Sequence, residues 1–576
     1  MMTGQGADRW GLAATGAAGG ALFWALIETS DQGTLPERAT LFLTALVVAW
    51  CAATLAMAGP IGLQRSLIRG LGLGGCIAAL LWLASLRYDA AYEVFGAPMS
   101  PLAAFLVASL PVPFLICQTR GNWRDYGALF HEAWSVGLRY TAAAVFVGIV
   151  WSALLVSNEV LKIVGITVID DLLAYAVVPF VVSGAALGLG MAVIHELADL
   201  ISPHLVVRLF RLLLPAVLLV MLVFLVALPF RGLSGLVSGL SPAQLLLVMV
   251  AAGVALVSVT IDQSDAEAAQ SRFLLRSAQA MALVLPVIAG LAAWALWLRM
   301  AQHGLTPERL FVALVAGLGL AYGLIYALAV LRGAGWMGRI RRGNTFMALS
   351  IILVSALWLT PLFNAERLSA QNQLSRYAAG LTPVADLDIR ALGAWGRPGA
   401  VVLASLAERA KEPAEAALAE RLAGDPDPGD RVTMAAVKVL VAMIPVQPPT
   451  ATGTRDTLLA GALDYQLRDW REVCSRPASD GGPACLMVVA DLLPHFPGEE
   501  AMLILEHNPE YTEVSGLYLD ASGALISRAV LRADGLYPTS EQASALLRAW
   551  AEAPPPLTPA AINQLGIGTS GLVMQP

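Results

Sequence analysis

Eleven apolar runs, each long enough to cross a bilayer, limit the fold of this chain more than any other feature. A hydrocarbon core of about 30 Å needs ~20 residues of α-helix. The runs lie at Trp10–Ile27, Ala39–Ala58, Gly70–Leu86, Pro101–Cys117, Tyr140–Val156, Leu172–Ile194, Leu212–Phe230, Gln244–Ile261, Ser277–Leu298, Leu310–Leu331 and Phe346–Phe363. In lipid every backbone N–H and C=O must find its partner within the segment, so these runs are expected to be helices. Composition agrees: 57% of the 576 residues are hydrophobic and 14% are charged, where soluble domains carry ~25%. A signal peptide is the other reading of the first run. Its leading segment has only Arg9 against Asp8, and no small-residue cleavage site follows before Glu28, so a retained helix is expected.

Residues 364–576 have a different character. Residues 1–363 carry 20 basic and 17 acidic residues, net +3, and the remainder carries 16 and 25, net −9. The expected fold class is an all-α polytopic membrane bundle of about eleven transmembrane helices (1–363), followed by a soluble C-terminal domain (364–576). Helical patterns recur in that tail at Glu366–Ala379, Pro413–Ala423, Asp430–Met443 and Asp456–Glu472. Turn signals at Asp425–Gly429 and Pro445–Pro449 separate them. Ser515–Leu519 and Ala524–Leu531 flank Asp520-Ala-Ser-Gly523, which predicts a β-hairpin. The tail is thus expected to be mostly helical with one hairpin. Its acidity makes nucleic acid a poor partner, because phosphate binding needs clustered Lys and Arg.

Basic residues between the runs give a direction. The N-terminal arm and the even-numbered loops hold fourteen Arg and Lys, and the odd-numbered loops hold six. The heaviest group is Arg332, Arg339, Arg341 and Arg342 before the last run. Basic loops stay in the cytoplasm, so the N-terminus is expected inside. An odd number of spans then puts the tail outside. Cys51, Cys76 and Cys117 lie in apolar runs, whereas Cys474 and Cys485 bracket a turn-rich loop in the tail. An isolated pair in an oxidising compartment is expected to form a disulfide.

Chemistry is sparse. As drawn, no run contains Asp, Glu, Lys, Arg or His in its interior, which argues against ion-coupled transport and proton relays. Ionisable groups gather at the cytoplasmic boundary instead. Glu196 and Asp199 stand at i, i+3, and His195 and Asp199 at i, i+4. With His131 and Glu132 these are the candidate catalytic residues. The competing reading is anchoring and helix–helix hydrogen bonding, and it is preferred. No second His follows at zincin spacing, so no metal centre is assigned. No Walker lysine, dinucleotide fingerprint or nucleophile elbow stands in a fitting context, so no cofactor is expected.

Asn122 opens a stretch with Tyr126, Phe130 and Trp134 on one face, which predicts a helix lying in the headgroup plane. Asp170-Asp171 before the sixth run suits a helix N-terminus. Gly16/Gly20, Gly70/Gly74, Gly184/Gly188 and Gly319/Gly323 are small residues at i, i+4 that let helices approach closely. Pro179 and Pro286 fall inside runs and predict kinks. Tyr322 and Tyr326 form the best polar pair deep in a run. Helix starts recur before outer ends, as in Leu35-Pro-Glu-Arg38 and Thr306-Pro-Glu-Arg309.

Several strings carry a resemblance: Trp123-Arg-Asp-Tyr126, His131-Glu-Ala-Trp-Ser135, Ala227-Leu-Pro-Phe-Arg-Gly-Leu-Ser-Gly235, Ala329-Val-Leu-Arg-Gly333, and Leu381-Thr-Pro-Val384 with Trp395-Gly-Arg-Pro398. The chain resembles a Gram-negative bacterial family catalogued as domain of unknown function four-one-five-three, a multi-pass inner-membrane group. The resemblance implies an inner-membrane location and supplies no catalytic residue. Three functional readings remain, in this order. The first is a membrane scaffold or sensor whose periplasmic domain engages an envelope partner. The second is a transporter or lipid translocator for an apolar or neutral substrate. The third is a membrane enzyme using His131, Glu132, His195, Glu196 and Asp199. Oligomeric state is not legible.

Overall fold

The computed structural model describes residues 2–31, 34–96, 99–196, 203–231, 242–423, 437–462, 464–478, 481–493, 498–508, 511–519, 525–532, 537–553, 555, 557, 564–567 and 570–573. Among them, eleven helices are long and apolar enough to cross a membrane, and each overlaps one of the eleven runs. The helices of this part of the chain, spans and others together, are α1 (Met2–Asp31), α2 (Glu37–Ile61), α3 (Leu63–Ser85), α4 (Met99–Ser109), α5 (Pro111–Thr119), α6 (Tyr126–Ile163), α7 (Val168–Leu173) and α8 (Val177–Glu196). Then follow α9 (Pro203–Arg231), α10 (Pro242–Ile261), α11 (Arg272–His303), α12 (Pro307–Leu331), α13 (Trp336–Trp358), α14 (Ala365–Ala378), α15 (Ile389–Ala394) and α16 (Gly396–Arg409).

Three local expectations are corrected. The headgroup-plane helix after Asn122 is the first part of α6, a single helix of 38 residues. Asp125 caps it by accepting from the Gly127 N–H. The aromatic face of that part packs inward: Phe130 meets Trp134, and Trp134 meets Phe210 of α9. The fourth span is two helices, α4 and α5, divided ahead of Pro111, whose ring has no N–H to continue the ladder. The sixth span begins at Val177, so Pro179 sits in the first turn of α8, where a missing N–H costs nothing. Pro286 does lie within α11.

The spans form two packed groups. In the first, α1 to α6 and α8 pack together, with close glycine contacts between α1 and α8 and between α2 and α3. Gly16 and Gly20 of α1 meet Gly184, Gly188 and Phe180 of α8 backbone to backbone; a Cβ on Gly16 would stand 2.0 Å from the Gly184 carbonyl oxygen. Gly70 and Gly74 press on Thr54 and Trp50 of α2 in the same way. In the second group, α9 to α13 enclose a core that includes Leu214, Leu246, Met281, Leu285, Ile288 and Tyr326. Gly323 makes room there for the Pro286 backbone. A third apolar cluster joins the two groups at one end, where Trp358 and Leu359 meet Tyr88, Val94 and Met99.

The compact unit that holds the spans runs on to Glu415, and a second unit begins at Ala416. The expected border at residue 363 therefore falls before three helices, α14 to α16, that pack with the spans. The second unit departs in detail from the expected helical tail. Its five-stranded sheet has the order β1 (Val446–Gln447), β2 (Cys485–Ala490), β3 (Glu500–Asn508), β4 (Tyr511–Leu519) and β5 (Leu525–Ala529), parallel only between β1 and β2. β4 and β5 pair as the expected hairpin, although its turn, Asp520–Gly523, lies outside the described residues. Successive β2 side chains point to opposite faces. Cys485, Met487 and Val489 pack with Leu458, Leu467 and Trp470, while Leu486 and Val488 meet Leu547 of the helix Ser540–Glu552. The expected helix Asp456–Glu472 is two helices, Thr452–Ala460 and Asp464–Cys474. Of Asp430–Met443, residues 437–443 are helical and the rest, like Asp425–Gly429, is outside the described residues. A two-stranded hairpin, β6 (Gln564–Ile567) with β7 (Ser570–Val573), follows.

Candidate functional site

Contacts between loops divide the ends of the bundle into two sets, one of even-numbered loops and one of odd-numbered loops. At the even-loop end, Glu132 of α6 is buried between two arginines. Arg120 Nη1 stands 2.5 Å from Oε1 and Arg139 Nη2 3.4 Å from Oε2. Its neighbour His131 is exposed. His195 of α8 packs against α2, where a Cβ at Gly59 would come within 2.6 Å of its ring. The side chain of Glu196, and all of Asp199, are outside the described residues. Both oxygens of Glu132 are thus engaged by arginines, and His195 packs against Gly59. Among the described residues no three His, Cys, Asp or Glu side chains gather as a metal site.

The basic loop residues have structural partners as well. Arg339 donates to the Ala329, Gly333 and Ala334 carbonyls, and so caps the C-terminus of α12. Arg342 reaches back to Gly338 O, and Arg332 is the residue that ends α12. Arg341 is buried and donates to Ile261 O and Asp262 O at the end of α10. Arg211 joins it there, bonded to Val259 O and paired with the buried carboxylate of Asp262. Beside this knot Tyr326 is fully buried. Its hydroxyl bonds Ser258 Oγ at 2.8 Å and Asn344 Oδ1 at 2.6 Å, and Asn344 Nδ2 reaches the Tyr126 hydroxyl at 3.1 Å. Sequence reading singled out the Tyr322/Tyr326 pair; the rings meet edge to face. It missed Ser258 and Asn344, which lie on other helices.

The odd-loop end holds the more chemically distinctive arrangement. Arg87 follows α3 and is 5% exposed. One guanidinium nitrogen donates to Glu366 Oε2 at 3.0 Å. The other donates to the carbonyls of Trp358, Thr360 and Phe363 at 2.6, 2.7 and 3.0 Å. The Trp358 carbonyl is an orphan of the last turn of α13, and those of Thr360 and Phe363 belong to the segment that leaves it. Glu366 Oε1 accepts from the Tyr88 hydroxyl at 2.9 Å. Burial, and then the adjacent Glu366 carboxylate, push the Tyr88 phenol well above its usual range. The segment after Arg87 is pinned from three sides. Arg38 of α2 donates to Tyr88 O and Asp89 O, Glu37 accepts from Ala91 N, and Arg397 pairs with Asp89. Gly396 has φ +60, and a Cβ there would lie 2.6 Å from Arg87 O, so a side chain is excluded twice.

α14 spans this end. Asn364 caps it by accepting from Arg367 N. From its other end, Arg376 and Gln373 donate to carbonyls of Ala301, Gln302, His303 and Leu305, the exit of α11. One helix therefore ties the ends of α3, α11 and α13. Cavities of about 460, 390 and 440 Å³ open along it, the first against Arg87, Arg367 and Arg397, the second against His303, Arg309 and Asp386, the third against Tyr88, Glu93 and Trp395. No signal in the sequence joins Arg87 to Glu366 across this distance. The string Trp395-Gly-Arg-Pro398, noted above, does lie at the site.

Elsewhere, Asp170 lies in the first turn of α7 and pairs with Lys162 at 2.9 Å. The bond to Lys162, then one to Asn158, hold its carboxyl below the ordinary value. In the second unit Cys474 and Cys485 are joined as a disulfide, their Cα atoms 5.4 Å apart.

A family model described as Domain of unknown function (DUF4153) matches residues 17–406. No curated protein and no solved structure matches the chain.

Proposed function

We propose that this chain, which belongs to the DUF4153 family, is a membrane scaffold or sensor that holds its C-terminal unit outside the cytoplasm for an envelope partner. The observation that carries this reading is the mount formed by α14. Arg87 and Glu366 bury a charged pair beneath it, and its far end caps α11. A helix fixed at both ends suits a platform. The membrane-enzyme reading needs a reactive carboxylate at Glu132, whose two oxygens each face an arginine. The location proposed is the bacterial inner membrane, with the N-terminus and even-numbered loops in the cytoplasm, as the basic-residue bias favours. The C-terminal unit then lies in the periplasm, where Cys474 and Cys485 meet oxidising conditions.

The test is in-cell crosslinking followed by purification of the full chain, alongside a chain ending at Glu415. A stoichiometric partner held by the full chain and lost from the shorter one supports the role. Repeated recovery of the full chain alone ends it.

A further inference from the structure

We propose that the cavity beside Tyr88 binds a small organic cation, a primary or quaternary ammonium group with a neighbouring oxygen acceptor. The cavity, about 440 Å³, opens where the first turns of α4 and α12 meet the last turn of α13. Tyr88, Tyr92, Trp358 and Trp395 supply aromatic wall. Glu93 and Glu308 stand among them, and neither side chain has an ion pair or hydrogen bond among the described residues. Glu366, also in the wall, is neutralised by Arg87. Glu366 is thus balanced, while Glu93 and Glu308 are without an ion-pair partner among the described residues; Glu308 interacts through space with its neighbour Arg309. Glu308 lies in the first turn of α12.

Aromatic faces combined with excess negative charge suit an ammonium, because the ring quadrupole attracts a cation that carries apolar substituents. A calcium ion needs six to eight converging oxygens, and the described residues hold no such cluster. Trp358 adds the second half of the specificity. It lines the cavity, is 2% exposed, and its indole N–H finds no acceptor among the described residues. A buried donor left unmatched selects for a ligand that brings an oxygen. Amino alcohols have both parts, whether free or as a lipid headgroup. The inference stands apart from the partner-binding role: the cavity lies wholly within the first unit.

The experiment is calorimetric titration of the full chain, purified in a maltoside detergent, with choline, ethanolamine and calcium chloride in turn. Choline and ethanolamine are expected to bind saturably. Glu93→Gln combined with Glu308→Gln is expected to weaken them about tenfold or more. Trp395→Leu is expected to weaken choline more than ethanolamine. Thermal melts check that each variant folds, and the single glutamine variants carry the test if the double does not. Native mass spectrometry separates the sources. Phosphatidylethanolamine retained through purification and displaced by choline marks a headgroup; choline binding with no retained lipid marks a solute. No saturable amine binding, amine binding indifferent to the glutamine variants, or a response to calcium alone would each overturn the proposal.

Discussion

At the scale of single residues, burial decides which ion pairs matter. Arg397 and Asp89 pair at 3.0 Å with both side chains more than half exposed. Water screens such a pair, and its loss costs about 1 kcal/mol or less. Arg87 and Glu366 pair at the same distance but are almost wholly buried. Removing one partner strands the other without solvent. Glu366→Ala is therefore expected to destabilise the first unit by about 3–5 kcal/mol, and Asp89→Ala by far less. Glu366→Gln keeps an acceptor for Tyr88 and should fall between them. Thermal unfolding of the purified chain in detergent reads all three. Equal melting temperatures for Glu366→Ala and Asp89→Ala would remove the buried pair from the account of the mount. Arg87→Met should be at least as damaging as Glu366→Ala, because it also leaves three carbonyls without their donor, that of Trp358 at the end of α13 and those of Thr360 and Phe363 after it.

At the scale of elements, helix contacts in the first group depend on missing side chains. α1 and α8 touch through backbone at Gly16, Gly184 and Gly188. Lipid offers no hydrophobic drive for helix pairing, so close van der Waals approach has to supply it. Gly184→Val is expected to force the two helices apart and to cost at least about 1–3 kcal/mol. Gly75 of α3 has nothing within 4 Å of a Cβ position, so Gly75→Ala is expected to be neutral or to gain up to ~1 kcal/mol of helix propensity. The contrast between the two melts is the test. The glycine spacing was legible because it is local, and so were the spans. The start of α6 was not, since Glu132 and Arg139 break the hydropathy pattern and only their mutual pairing, completed by Arg120, makes them compatible with a buried helix. The central strands were missed for another reason. Cys485-Leu-Met-Val-Val-Ala490 is buried on both faces, so it lacks the alternation that marks a half-exposed strand. Arg87 and Glu366 were illegible because 279 residues separate them.

At the scale of the whole molecule, the loops carry an alternation that fits an odd number of crossings. Arg38, Arg87, His303 and Glu366 belong to one linked set through Tyr88 O, Glu366 and the carbonyl of His303. Asn344, Tyr126, Arg341 and Asp262 belong to another. The first set follows odd-numbered spans or precedes even-numbered ones, and the second does the reverse. The segment Thr360–Glu366, which leaves the last span, is in the first set. The direction of that arrangement rests on the basic residues, fourteen against six. Their numbers and the cysteine pair are independent, so they can be tested against each other. A reporter active only outside the cytoplasm, fused after Pro576, is expected to be active. A membrane-impermeant maleimide is expected to label Cys474 and Cys485 only after reduction, in a chain whose Cys51, Cys76 and Cys117 are changed to Ala. A silent reporter together with two thiols labelled without reductant, and only in opened cells, would place the second unit in the cytoplasm. That outcome would remove the envelope partner and leave the buried mount intact, since the pairing of Arg87 with Glu366 is indifferent to which side of the membrane it faces.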